Sequence, residues 1–323
     1  MPMALPPDAV WWSTAAAGAL VALAALLAAR GARGSTAVPA ALWGVAAGSA
    51  LAFDAGLRAA GVVTQPPAAA AMRLMTTLLA IAPALAILGA KRPQHGVWQF
   101  IVAAFGFVLF LPATAMSLVR PGTVPDLHLL GRLLVAAVVL VGWMNHVATG
   151  LGPAATLVAV GVLVLGRGFL PGIDTEAAFP PSGAPAAERA AGLDAVAGWL
   201  AAAGAGLGLL LRRRRRRAPA AATFEGVVDP VWLSLRDTVG AAWSLRIAER
   251  FDQLAAGRGW PCRLGFRGIE AGAAPGDGAW QRDARRALGA LFRRFADDGW
   301  LERHGWCRES PGTSRNTSRH AKL

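Results

Sequence analysis

LDAVAGWLAAAGAGLGLLLRRRRRR, residues 193–217, decides how this chain is read. Nineteen residues of almost unbroken Ala, Leu, Gly and Val run into six consecutive arginines, Arg212, Arg213, Arg214, Arg215, Arg216 and Arg217. Cations directly after an apolar stretch long enough to cross a bilayer hold that end on the cytoplasmic side. The run therefore orients everything before it and places everything after it in the cytoplasm. The same arginines are candidate contacts for anionic lipid headgroups, each worth about 1 kcal/mol near a charged surface. A plain stop-transfer signal would look the same.

Upstream, the chain is dominated by small and apolar residues. The whole protein is 55% hydrophobic and only 16% charged, with a mean hydropathy of +0.45. Soluble domains carry about 25% charged residues, so the deficit itself implies membrane spans. Seven apolar runs fit: 11–29, 38–57, 70–90, 97–119, 129–148, 153–170 and 193–211. The first is preceded by Asp8 and no basic residue, unlike a cleavable signal, which needs a basic start. Seven spans with the C-terminus inside put the N-terminus outside. Inner loops then hold Arg30, Arg33, Lys91 and Arg92 without acidic company, while the outer loops are mixed or acidic. This follows the positive-inside rule. Span two contains Asp54 and span six is short; a count of six spans, with one of the runs interfacial, would put the N-terminus inside.

Net charge is +13 and the pI about 11.6. Residues 1–211 contain ten Lys/Arg against seven Asp/Glu, so the excess is concentrated in and after the arginine run. Topology accounts for that distribution, and nucleic acid is not an expected partner. Arginine bias, Ala/Gly richness and the absence of Tyr fit a bacterial protein of the inner membrane.

Residues 212–222 form a basic linker, 223–309 a small helix–strand–helix domain, and 310–323 a polar tail expected to be disordered. Asp229–Pro230 reads as a helix start. Trp232, Leu235, Val239, Trp243, Ile247, Phe251 and Leu254 follow at three- and four-residue steps on one face, with Arg236 and Asp237 off it. Cys262, Leu264 and Phe266 alternate as in a half-buried strand. A second amphipathic helix is predicted over 279–298, and Phe224–Val228 as a further strand. The fold class expected is mostly α, a polytopic bundle of about seven helices with a small α+β cytosolic domain.

Ionisable residues in membrane spans are candidate sites by default. Asp54 and Arg58 can pair at i,i+4 near the outer face; a structural pair is the plainer reading, proton or cation handling the sharper one. Arg73, Arg120, His128 and Arg132 gather at outer span ends, as headgroup anchors or an anion site. Asn145 and His146 lie near the inner end of span five, as a polar site or an interfacial cap. Asp54 and His146 are near opposite faces of a core about 30 Å thick and cannot form a dyad. Cys262, His304 and Cys307 fall short of a four-ligand zinc site, and no metal or cofactor is assigned. Gly44–Gly48 and Gly204–Gly208 have the small-xxx-small spacing of close helix packing. No phosphate loop, zinc-protease helix motif, nucleophile elbow or kinase glycine loop occurs, so no catalytic residue is assigned. The leading expectation is a membrane anchor presenting a cytosolic interaction domain. The alternatives are a transporter or channel subunit using Asp54 or Arg132, and a membrane enzyme acting on outer-face lipid through His128 with Asp126 or Asp54.

Overall fold

The computed structural model describes residues 6–89, 91, 95–120, 122–171, 186–216, 223–272 and 279–306. Among the described residues, seven helices precede the tail: α1 (Pro7–Gly31), α2 (Val38–Ala59), α3 (Pro66–Leu88), α4 (His95–Val119), α5 (Leu129–Val147), α6 (Gly152–Leu165) and α7 (Ala186–Arg216). A short 3-10 turn, Arg167–Phe169, continues α6. Six of the seven are long and apolar enough to cross a bilayer. The exception is α6, whose 14 residues reach only about 21 Å at 1.5 Å per residue, less than the hydrocarbon thickness of about 30 Å. This is the architecture of a multi-pass membrane protein.

Six helices close a ring in the order α1–α2–α3–α5–α6–α7 and back to α1, and α4 packs on α3 at its outside. Large apolar residues point outward, Phe100 at 73% and Phe107 at 61% exposure, as lipid contact requires. Contacts between helices use small residues instead. A Cβ on Gly18 would sit 2.9 Å from the Gly48 carbonyl, and one on Gly48 would sit 2.8 Å from that of Gly18. The backbones of α1 and α2 therefore touch. Gly204 meets the Ala154 carbonyl of α6 in the same way, at 2.8 Å. Both spacings singled out in the sequence thus fall at close helix crossings, Gly44 against Ala25 and Gly208 against Ala154. Trp43 and Trp143 donate their indole N–H groups to Gln99 (2.8 Å) and Thr156 (3.0 Å).

The tail contains α8 (Phe224–Val239), α9 (Ala241–Arg258), the hairpin β1 (Cys262–Gly265) and β2 (Gly268–Ala271), α10 (Ala279–Phe292) and α11 (Asp298–Arg303). Several expectations are corrected here. Phe224–Val228 is the first part of α8, capped by the Thr223 hydroxyl on the Gly226 N–H, and not a strand. Asp229 is not the cap; its carboxylate accepts the Ile269 N–H at 2.7 Å and so holds β2. The long first helix is two helices, parted at Gly240 with φ +82°. The strand has a partner, with Leu264 opposite Ile269. The second helix stops at Phe292, and Asp297 caps a separate α11 by accepting the Trp300 N–H. Arg236 and Asp237 are buried, at 5% and 2% exposure. The domain is therefore helix–helix–hairpin–helix–helix.

Its core is self-contained. Trp232, Leu235, Phe251, Leu288, Phe292 and Trp300 lie at 0–1% exposure, and every buried member of this cluster falls within 228–306. The polar tail 310–323, the linker residues 217–222 and the loop residues Arg92, Asp174 and Glu176 lie outside the described residues.

Candidate functional site

Charged residues concentrate at the two ends of the ring. At the end away from the tail, Asp54 of α2 accepts from Arg58 at 2.8 and 3.3 Å, and Arg58 also donates to the Ala69 carbonyl at 2.6 Å. The i,i+4 pair forms, cross-linking α2 to the start of α3. Arg73 of α3 bonds Asp194 of α7, and the second oxygen of Asp194 takes Arg167 at 2.7 Å. Arg167 further donates to the Val164 and Ala190 carbonyls. One carboxylate at 3% exposure thus ties together α3, α7 and the end of α6. Neither Asp194 nor Arg167 stands out in the sequence. The available signal was an Asp two residues into an apolar run.

Arg132 and Asp126 form an ion pair at 2.5 Å, and Asp126 also accepts the Leu127 N–H. His128 is exposed at the start of α5, with no hydrogen bond to Asp126 or Asp54. The four residues expected at outer span ends, Arg73, Arg120, His128 and Arg132, do not converge: Arg73 is inside the ring, and Arg132 is engaged locally. The His128 dyad of the lipid-enzyme alternative is not assembled.

At the other end, the tail domain docks on the bundle. Asn145 of α5 is the central contact. Gly240 has no side chain to cap α9, whose first N–H groups need acceptors. Asn145 supplies the cap from another helix: its Oδ1 accepts the Ala242 N–H at 2.9 Å, and its Nδ2 donates to the Val239 carbonyl at 3.4 Å. A side chain at Gly240 would overlap Asn145. Beside it, Asp237 accepts the Gly150 N–H at 3.1 Å, pairs with Arg236 at 2.9 Å and meets Arg215 of the arginine run at 3.0 Å. Arg213 and Arg214 are exposed. Trp243 donates to the Ile87 carbonyl at 3.1 Å. The α1–α2 loop completes the dock: Thr36 N–H to Phe295 O at 2.8 Å, Asp297 N–H to Gly34 O at 2.7 Å, and Arg303 to the Arg33 carbonyl. None of these long-range pairings has a local sequence signature.

His146, with Nδ1 3.3 Å from the Gly142 carbonyl, lines a partly open space of about 340 Å³ between the ring helices. Most of the lining residues lie toward the tail-side ends of their helices, with Ala159 and Val162 reaching past the middle of α6, and most are Ala, Gly, Val, Ile or Leu. The far half is filled by Leu51, Leu74, Leu78 and Leu165.

In the tail, burial and nearby Asp252 push the Cys262 thiol up to about 11, so at neutral pH it is a protonated core residue of β1. Burial lifts the Asp229 carboxyl above its ordinary value, opposed by the Ile269 N–H it accepts. His304 stacks on Trp300 and bonds its carbonyl. Cys307 and His320 lie outside the described residues, and among those described no three His, Cys, Asp or Glu residues gather as a metal site. Comparison with family models, curated proteins and solved structures yields no match.

Proposed function

We propose that the protein is a bacterial inner-membrane module whose helical bundle holds a cytosolic domain in a fixed pose for recruitment of a partner. The observation that carries this reading is the dock. A domain with its own aromatic core is locked to two bundle loops, to the ends of α3 and α5 and to the arginine run, chiefly through backbone groups. A flexible tether would need none of these contacts. α1 ends beside the docked tail and begins at the opposite end, where Trp11 lies against Arg58, and basic residues 30, 33, 91 and 212–215 at the docked end support a cytoplasmic tail and an outer N-terminus. Arg58, Arg73, Arg132 and Arg167 toward the other end are neutralised in ion pairs. In this reading, Arg213 and Arg214 contact anionic headgroups. The α9–hairpin side, with Leu245 at 57% exposure, is the surface offered to a partner.

The test is in-cell crosslinking with mass spectrometry, comparing the full chain with one ending at Arg217. Both chains are first checked for equal insertion, and a C-terminal reporter checks the orientation. A partner captured only with the tail supports recruitment. Equal insertion with no tail-dependent partner, or a reporter outside, defeats it.

A further inference from the structure

We infer that the space between the ring helices binds a neutral, apolar alcohol, with its hydrocarbon body against the small-residue walls and its hydroxyl donating to His146 Nε2. The site is independent of the recruitment reading. All six ring helices and α8 of the tail contribute to the lining. A volume of about 340 Å³ falls within the range of about 300–1,000 Å³ typical of small-molecule pockets. The space is partly open, so a ligand enters without unfolding the ring. Walls such as Ala41, Ala84, Ala155 and Val158 present no polar side chain. A charged or many-hydroxyl solute would lose its hydration against them without replacement.

Among the described residues, the polar side chains of the lining are Trp143, His146, Arg212 and Thr238. Trp143 donates its N–H to Thr156 at 3.0 Å, and Thr238 donates its hydroxyl to the Ser234 carbonyl at 2.7 Å. Arg212 already has a partner. His146 differs from these three. Its Nδ1 lies 3.3 Å from the Gly142 carbonyl. A carbonyl oxygen only accepts, so Nδ1 carries the proton and Nε2 is left with a lone pair. Among the described residues Nε2 has no hydrogen-bond partner, and neighbouring atoms do not seal it off. That lone pair selects the head. It takes an O–H and gives nothing to a group that only accepts, such as an ether, a ketone or a carboxylate. The charge of Arg212 on the same lining disfavours an ammonium. A neutral hydroxyl meets each condition. His146 is on the last turn of α5, so the hydroxyl sits near the docked end and the body runs toward Ala80 and Val162.

Full-length protein in nanodiscs of zwitterionic phospholipid is photolabelled with a diazirine-bearing decyl alcohol, its methyl ether or the corresponding carboxylic acid, and the labelled peptides are read by mass spectrometry. The expected result is saturable labelling of α5 and α6 by the alcohol, competed by unlabelled decanol. The ether binds about tenfold more weakly, the loss that one hydrogen bond implies; this comparison needs no variant. His146→Phe keeps a ring, removes the acceptor and brings the alcohol down to the level of the ether. Ala155→Phe fills the space and abolishes saturable labelling by both. Should Ala155→Phe not fold, Ala41→Leu on the opposite wall makes the same test. Equal binding of alcohol and ether, or full alcohol binding to folded His146→Phe, overturns the hydroxyl assignment. No saturable labelling, or undiminished labelling of a folded cavity-filled variant, overturns the site. Acid bound in preference to alcohol overturns the neutral head.

Discussion

The bundle and the tail domain are built from the same chain by opposite packing rules. In the tail, the largest side chains are innermost: Trp232, Phe251, Phe292 and Trp300 are buried, and arginines such as Arg263 face out. In the bundle, the largest side chains face outward, and Ala and Gly make the helix contacts. Solvent explains the inversion. Water drives apolar bulk inward at about 25 cal/mol per Å². Lipid exerts no such force between helices, which then associate through close backbone approach and polar links. The bundle accordingly keeps its buried charges as cross-ties, while the tail keeps its own at the dock.

The comparison breaks most visibly at Trp232. Trp232→Ala removes the centre of the tail core, its stacking on Phe292 and its hydrogen bond to the Gly265 carbonyl. A loss of about 3–5 kcal/mol is expected. Tryptic digestion should then cut the arginine-rich tail rapidly while residues 6–216 stay membrane-inserted. A bundle that unfolds along with the tail would show that the two are one cooperative unit.

The converse test enlarges a residue where the bundle needs a small one. Gly48→Leu forces α1 and α2 apart at their backbone contact. Overpacking of this kind costs about 1–3 kcal/mol. The thermal midpoint of the solubilised bundle should fall, with tail proteolysis unchanged.

These two regions were also unequally legible. Apolar run length marked the six helices long enough to cross a bilayer, which sets that length directly; it also marked 153–170, where α6 has only 14 residues. The amphipathic steps from Trp232 to Phe251 marked the tail core for the same kind of reason. The break at Gly240 was hidden, since the apolar spacing continues across it and the cap arrives from Asn145, some hundred residues earlier. Strand β2 was hidden because only Ile269 in it favours a strand, and its ladder depends on Asp229. Asp194 and Asp237 seemed ordinary in sequence; each matters through partners that only the tertiary fold brings near.

The joint between the regions gives a smaller effect. Asn145→Ala leaves the Ala242 N–H without its acceptor, at about 0.5–2 kcal/mol for a lost cap. Amide hydrogen exchange should accelerate at Ala241–Ser244 and stay unchanged in the core around Leu288. Uniform acceleration across the tail would mean that docking, and not the aromatic core, holds the domain together.

The smallest effect sharpens the comparison most. Phe→Leu can be made at Phe107, 61% exposed on α4, and at Phe251, fully buried in α9. If lipid is the solvent at Phe107, the ring and its replacement are nearly equivalent to their surroundings. Phe107→Leu should then change stability by no more than about 0.5 kcal/mol. At Phe251 the same change removes ring contacts with Trp260 and leaves a void, costing about 1 kcal/mol or more. Thermal unfolding in detergent measures the first and tail proteolysis the second. A large loss at Phe107 would mean that α4 meets protein on its outer face, so that a second copy or another subunit covers it and lipid does not.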